Sequence, residues 1–116
     1  MTVLSIGVMS QERIRERVLA IARGDYKPRP GDPKIWFPSM ESLADVLSDD
    51  NRKLLREIAE LKPESVTALA EATGRIHSDL SRTLEALANV GIIELRREHQ
   101  CVRPIAKATE FRIMAA

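Results

Sequence analysis

The sequence has few cysteines and few aromatic residues. Cys101 is the single cysteine among 116 residues, which excludes an intrachain disulfide and a zinc site made of several cysteines. We therefore expect a protein of the reducing cytoplasm. Aromatic residues make up 3% of the chain and hydrophobic residues 44%, so the core of a globular domain must consist mainly of aliphatic side chains.

The chain also lacks the residue patterns of an enzyme or a metalloprotein. It has two histidines and five glycines, and these glycines form no loop of the kind that cradles phosphate groups. We expect no catalytic residues, no metal site and no cofactor. The apolar opening segment 1–9 has no basic leader and is too short to span a membrane, so we expect no membrane association either.

The chain also has no large excess of positive or negative charge. The formal net charge is +1, so any attraction to nucleic acid must come from local clusters of basic side chains. Segment 39–51 contains four acidic and no basic residues. We expect that part of the surface to face away from DNA.

The amino-terminal third predicts a helix followed by a linker. Ser10 can cap the helix and Gly24 can end it, and between them one helical face is apolar, made of Ile14, Val18, Ile21 and Ala22. Segment 25–34 contains three prolines and one glycine, which predicts an extended linker. We therefore divide the chain into an arm, residues 1–35, and a main body, residues 36–116. The apolar face packs on its own domain, on a second copy, or on another protein.

The main body predicts four helices followed by two strands. Three apolar patterns of helical period each follow a serine that can cap the helix, namely Ser39, Ser48 and Ser65. A fourth helix is expected to start near His77 and to end at about Val90. Beyond it the apolar residues alternate, which predicts a hairpin with strands Ile92–Arg96 and Thr109–Ile113 and with Arg97–Gln100 at its tip. The predicted fold class is α+β, mainly helical, with a C-terminal β-hairpin.

Segment 69–93 has the pattern of a helix-turn-helix. Gly74 provides the turn, and the second helix is held to the body by leucines spaced four and three apart, which are Leu80, Leu84 and Leu87. Six polar residues remain on its outer side: His77, Ser78, Asp79, Ser81, Arg82 and Glu85. In a helix-turn-helix this side lies in the major groove of DNA, where Arg82 is the best candidate to bind guanine or phosphate. The alternative is a surface Arg82 paired with Glu85.

The predicted hairpin carries a modest basic cluster. Its members are Arg96, Arg97, His99 and Arg103, against two acidic residues, Glu94 and Glu98. If the hairpin is a wing beside the recognition helix, these side chains contact flanking phosphates or the minor groove. The alternative is a solvated edge whose charges discourage aggregation.

The order of residues from Leu69 to Ile93 resembles the MarR-like and ArsR-like families of winged helix-turn-helix regulators. The shared pattern consists of Leu-Ala-Glu, a turn glycine, Leu-Ser-Arg, two leucines and Gly-Ile-Ile. These families usually have a serine cap two residues after the turn glycine, whereas this chain has Ile76. The recognition helix is therefore expected to start later, at His77 or Ser78.

A narrower resemblance is to a group of small prokaryotic regulators. It is carried by Trp36–Ala44, Leu80–Leu84, Arg103–Pro104 and Phe111–Ile113. This resemblance implies an antitoxin that represses its own operon and binds a toxin protein, with the amino-terminal arm as the toxin-binding segment.

Together these patterns predict a homodimeric repressor that binds double-stranded DNA by a winged helix-turn-helix and carries out no covalent chemistry. The competing interpretation is a winged helix that binds only proteins. It is favoured by the near-neutral net charge and by the acidic Asp79 and Glu85 on the outer side of the proposed recognition helix.

Overall fold

The computed structural model describes residues 3–115, which form an α+β fold. Over this range the strands are β1 (Val3–Val8), β2 (Ile35–Phe37), β3 (Ile93–Glu98), β4 (Cys101–Ala106) and β5 (Glu110–Ala115). The helices are α1 (Gln11–Arg23), α2 (Met40–Val46), α3 (Asp49–Leu61), α4 (Val66–Thr73) and α5 (His77–Asn89).

Serine side chains begin four of the five helices in this range. Each serine hydroxyl accepts a hydrogen bond from the backbone N–H three residues further on, at 3.0 to 3.3 Å, and the four residues are Ser10, Ser39, Ser48 and Ser65. Such a cap stabilises a helix by about 1 kcal/mol because it satisfies an N–H that has no partner within the helix. The predicted starts of these four helices are confirmed.

The core is a single cluster that runs from Ile6 near the start of the chain to Ile93, and Phe111 of β5 packs against it. Its most deeply buried side chains are Ile6, Leu54, Leu55, Ile58, Leu69, Leu84, Leu87, Ile92 and Ile93. Phe37 is the one aromatic residue buried in it within residues 3–115. The core is aliphatic, as the low aromatic content predicts.

The hairpin differs from the prediction in its second strand. β3 pairs antiparallel with β4, from Ile93 opposite Ala106 to Glu98 opposite Cys101, so the predicted pairing with residues 109–113 is wrong. The physical reason is the two-residue turn of His99 and Gln100, both with positive φ, which brings the directly following residues into register. Pro104 is accommodated because a two-stranded ribbon leaves one edge of each strand without a neighbour.

The strand expected near residues 109–113 exists as β5 but belongs to a different sheet. β1 is the central strand of a parallel sheet of order β2-β1-β5, with Val3 opposite Glu110 and Val8 opposite Ala115. On its other side Gly7 lies opposite Trp36, whose ring fills the space that a Cβ at Gly7 would need. Strands from both sides of the boundary expected at residue 35 therefore share one sheet.

The proline-rich segment 25–34 contains neither helix nor strand, as predicted, but it is fastened to α1. The Arg17 guanidinium lies 3.4 Å from the Asp32 carboxylate and over the rings of Tyr26 and Trp36, at 4.8 and 5.1 Å from their centroids. The Tyr26 hydroxyl donates a hydrogen bond to Asp32. That bond, together with one from the Arg29 backbone N–H, lowers the pKa of Asp32 below its ordinary value.

The apolar face of α1 is only partly covered by the rest of the chain. No residue of this helix is buried. Ile14 is half-buried, whereas Val18, Ile21 and Ala22 are exposed, and Val18 retains 58% of its accessible surface. The predicted partner face is therefore largely open in the single chain. Within residues 3–115 no helix is long and apolar enough to cross a membrane.

Candidate nucleic-acid interface

A sharp turn joins α4 to α5. Gly74 ends α4 in a left-handed conformation, with φ of 71°, which a residue with a side chain rarely adopts. α5 then starts at His77 without a side-chain cap on Ile76, at one of the two starts that the missing serine predicts. The polar residues that follow are consequently in the first turns of the helix.

Arg75 connects this turn to α3 by hydrogen bonds, and this role was not predicted from the sequence. Its guanidinium donates hydrogen bonds to Asp50 at 3.2 Å and to Glu57 at 3.0 Å. Burial by itself lowers the pKa of Arg75, but these two hydrogen bonds and the two negative charges raise it above its ordinary value. The signal in the sequence is weak, because acidic residues 25 and 18 positions earlier are assigned to Arg75 only by the packing of α3 against the turn.

α5 buries one side and leaves the other open. Leu80, Leu84 and Leu87 are buried, as predicted. Of the six predicted site residues on this helix, Ser81 is half-buried and five are exposed, namely His77, Ser78, Asp79, Arg82 and Glu85. The structure thus brings all six together on one helix whose outer side is not covered by the described part of the chain.

The six residues divide into three positions around α5. His77 and Ser81 lie toward the hairpin, where the Ser81 hydroxyl is 3.5 Å from the His77 ring nitrogen Nδ1. Asp79 lies on the opposite flank, beside the cleft that Asp50 and Arg75 line. Ser78 and Arg82 lie between these flanks, on the side most distant from the buried leucines, and Glu85 lies toward the hairpin with His77 and Ser81.

Arg82 carries a free positive charge in the middle of this exposed side. Among residues 3–115 no acidic side chain lies within 4.0 Å of its guanidinium, and in particular there is no ion pair with Glu85. The alternative in which Arg82 is a surface partner of Glu85 is therefore not the arrangement found. A guanidinium with all of its donors available is suited to bind phosphate or the edge of a guanine.

A groove separates α5 from the hairpin. Its volume is about 440 Å³ and its lining includes Ser65 and Thr67 at the start of α4, His77 and Ser81 on α5, and Leu95 on β3. Both sides of the groove mix polar and apolar groups, since the helices also contribute Leu84 and the hairpin also contributes Gln100. Helix and hairpin are therefore neighbours with a gap between them, rather than one continuous packed layer.

Two of the predicted basic residues of the hairpin are neutralised by neighbouring acids. Arg96 and Arg103 lie directly opposite each other on β3 and β4. Arg96 contacts Glu94 at 2.9 Å, and Arg103 contacts Glu98 at 3.3 Å. On this face of the hairpin two positive charges thus meet two negative charges, and the face is not a basic patch.

Arg97 and His99 are the remaining basic groups of the hairpin. Arg97 alternates to the other face, which it shares with Leu95 of the groove lining, and it is exposed. No ion pair of Arg97 occurs in the part of the chain that the structure describes. His99 is exposed in the turn, with φ of 47°. The available positive charge of the hairpin is therefore concentrated toward its tip.

A comparison with protein families matches residues 46–113 of this chain to the HVO_A0114 family. The chain belongs to the HVO_A0114 family. The match runs from the end of α2 into β5 and includes the whole of α3, α4, α5 and the hairpin, so it contains every predicted DNA-contact residue. β1, α1 and β2 lie outside it. No curated protein and no solved structure matches the chain.

The HVO_A0114 match carries no description of an activity. The resemblance to MarR-like and ArsR-like regulators therefore stays a prediction. Across residues 3–115 no three His, Cys, Asp or Glu side chains are arranged to hold a metal ion, and Cys101 is exposed as a free thiol.

Proposed function

We propose that this chain is a sequence-specific DNA-binding transcriptional regulator, a repressor, with a winged helix-turn-helix formed by α4, α5 and the β3–β4 hairpin. The observation that carries the proposal is the polar side of α5, which is exposed around an unpaired Arg82 and flanked by the hairpin. A helix held by buried leucines with such a side outward fits the width of the major groove of B-DNA.

In this arrangement α5 reads base edges and the hairpin positions the chain on the backbone. Arg82 takes guanine O6 and N7 with two parallel hydrogen bonds, or binds a phosphate. Ser78 and Ser81 bind backbone or water, while Asp79 accepts from a cytosine amine or supports the helix start. Arg97 and His99 contact phosphates beside the groove.

Local charge sets how strongly salt affects this binding. Glu94 and Glu98 compensate the charges of Arg96 and Arg103, so Arg82 and Arg97 are the main phosphate or base contacts of each copy. If both bind phosphate, log K falls against log salt with a slope of about −2 per copy, and the slope is about −1 if Arg82 binds guanine instead. Either slope is shallow for a DNA-binding protein and agrees with the net charge of +1.

Repression would work by occlusion of a promoter. Two copies on neighbouring half-sites double the number of bases that are read. The resemblance to antitoxin-like regulators extends the proposal to the chain's own promoter and to a toxin as partner, for which the open face of α1, with Val18 and Ile21, is the proposed contact.

The test is binding of the chain to duplex DNA from its own upstream region, measured by fluorescence anisotropy with unrelated DNA as competitor. Arg82→Ala is expected to weaken specific binding by roughly tenfold to a hundredfold, because one bidentate base contact is worth about 1–3 kcal/mol. Arg13→Ala, at an exposed position on α1, is the matched control and is expected to bind like the wild type. Unchanged affinity of folded Arg82→Ala would contradict the proposal.

A second candidate function is protein binding without DNA. The observation in its favour is the neutralisation of Arg96 and Arg103, together with the acidic Asp79 and Glu85 on α5. This candidate predicts that duplex binding is weak, nonspecific and equal for wild type and Arg82→Ala. The same anisotropy series therefore separates the two functions.

A further inference from the structure

The outer edge of β5 is a six-residue strand edge with no strand beside it. β5 is the last strand of the order β2-β1-β5 and pairs with β1 along six consecutive residues without a bulge. Among residues 3–115 no strand pairs with the N–H and C=O groups that point away from β1. Such an edge is a template for another strand, because each unpaired backbone group can join a new ladder.

β5 has only some of the features by which proteins protect such edges. It carries the charged Glu110 and Arg112 but neither proline nor lysine, and Ile113 and Met114 are 46% and 47% exposed. The opposite edge of the sheet, β2, has only three residues and is followed by Pro38. Of the two edges, only β5 is long enough and apolar enough to accept a further strand.

The charges of β5 complement a second copy of the same strand. Glu110 and Arg112 point to one face, whereas Phe111 lies between them and points to the other. If two β5 strands run antiparallel around a two-fold axis at Phe111, Glu110 of each lies opposite Arg112 of the other. Opposite charges in directly facing positions stabilise a pair of strands.

We propose that two copies of this chain dimerise by antiparallel pairing of β5 with β5, which joins two three-stranded sheets into one sheet of six strands. The interface is isologous, since the same surface serves both copies. Unlike the apolar face of α1, this edge combines a backbone template with self-complementary charge. The inference does not depend on DNA binding, and its test contains no DNA.

The charges also favour one pairing register of the two β5 strands. In every register that joins the two sheets into one, the two-fold axis passes through a residue of β5, so the possible registers differ by which residue faces its own copy. An axis at Arg112 would place two arginines directly opposite each other, which is unfavourable. An axis at Ile113 would place Glu110 beyond the end of β5 of the second copy, so that it forms no charge pair. With the axis at Phe111, residues 110–112 of the two strands face each other, and residues 113–115 of each copy face residues 107–109 of the other. Only the axis at Phe111 gives two favourable charge pairs.

Sedimentation equilibrium over a range of protein concentrations tests the proposal. Arg112→Glu places Glu opposite Glu110, and Glu110→Arg places Arg opposite Arg112, so each single reversal is expected to weaken dimerisation by roughly tenfold or more. The double variant E110R/R112E restores the opposite charges and is expected to return the dimer dissociation constant to near the wild-type value. Val18→Glu on α1 is the matched control and is expected to leave it unchanged.

Several outcomes would overturn the proposal. One is a wild-type chain that is monomeric at all concentrations, and another is a dimer that the two single reversals do not weaken. A double variant that stays as weak as the single ones would also overturn it. Loss of the dimer in Val18→Glu, with the β5 variants unaffected, would assign the interface to α1 instead. Circular dichroism of each variant separates unfolding from dissociation.

Disulfide trapping tests the register independently of the charges. In a Cys101→Ser background, chains with Glu110→Cys and chains with Arg112→Cys are oxidised alone and as a mixture. The mixture is expected to form a cross-linked dimer faster than either variant alone, because residues 110 and 112 of different copies face each other. Faster cross-linking of the Arg112→Cys chain with itself would contradict the register at Phe111.

Discussion

The region of α4, α5 and the β3–β4 hairpin differs from the parallel sheet in the range of its stabilising contacts along the chain. In the first, the turn at Gly74 and the hairpin turn at residues 99–100 join elements that are neighbours in sequence. In the second, β1 pairs residue 3 with residue 110. Local contacts are visible in a sequence pattern, whereas distant strand pairing becomes visible only in three dimensions.

The two regions nevertheless share one core. Ile6 of β1 and Leu84 of α5 belong to the same cluster of buried residues. A single core is the arrangement expected for a chain of this length, because a small chain buries too little surface for two. The sheet is therefore expected to stabilise the site region, not merely to extend from it.

The largest expected effect on stability comes from substitutions that create a cavity in the shared core. Ile6→Ala and Leu84→Ala each remove a fully buried side chain and are expected to lower the free energy of unfolding by about 2–5 kcal/mol. Because the core is continuous, urea unfolding should remain a single transition for both variants. An Ile6→Ala chain whose far-ultraviolet and tryptophan signals unfold separately would show that the sheet is an independent unit.

A smaller effect is expected from overpacking within the sheet. Gly7→Ala places a methyl group where the Trp36 ring lies, and the ring is held in place by Arg17. We expect a loss of about 1–3 kcal/mol, measured by thermal unfolding. In Gly7→Ala/Trp36→Leu the loss attributable to Gly7→Ala should shrink, and a purely additive pair would contradict the proposed contact.

A loss of about 1 kcal/mol in the free energy of unfolding is expected when the contacts between Arg75 and α3 are removed. Arg75→Ala removes three hydrogen bonds, two to Asp50 and one to Glu57, and the Arg75 side chain is 22% exposed. Lys53→Ala is the matched control, since Lys53 is an exposed residue of the same helix and forms no ion pair in the part of the chain that the structure describes. Substitutions at such surface positions usually change stability little, so the control should lose less than about 0.5 kcal/mol. Equal losses in urea unfolding would show that Arg75 does not brace the turn.

The smallest expected effect is a pH dependence of stability that arises from Asp32 in segment 25–34. Hydrogen bonds from Tyr26 and from the Arg29 backbone lower the pKa of Asp32 below 3.8. Asp32 therefore contributes stability above the ordinary carboxyl range, and this contribution is lost as the pH falls through the lowered pKa. Asp32→Asn should be less stable than the wild type at pH 7, and the difference should shrink below about pH 4. A pH-independent difference would contradict this assignment.

Most of the helical part could be predicted from the sequence. Serine caps, turn glycines and leucines at helical spacing are local signals, and they located the starts of α1 to α4 and the buried side of α5. The outer side of α5 followed from the same pattern, because residues that are not buried on an amphipathic helix face outward.

The strands and the electrostatics of the site could be predicted only in part. The alternation at residues 109–113 indicated a strand but not its partner, and residues 101–106 were not predicted to be the second strand of the hairpin. The basic residues of the hairpin were counted correctly, but their neutralisation depends on the register that places Arg103 near Glu98. The role of Arg75 depends on the packing of α3.

The sequence by itself determined the helices, the turn at Gly74 and the polar outer side of α5, because these depend on residues within one or two helical turns of each other. Only the tertiary structure decided that β1 and β5 are neighbours, and that Arg103 meets Glu98 whereas Arg82 and Arg97 have no acidic partner among residues 3–115. Pairing between distant segments is set by the free energy of the whole core, which no local pattern contains.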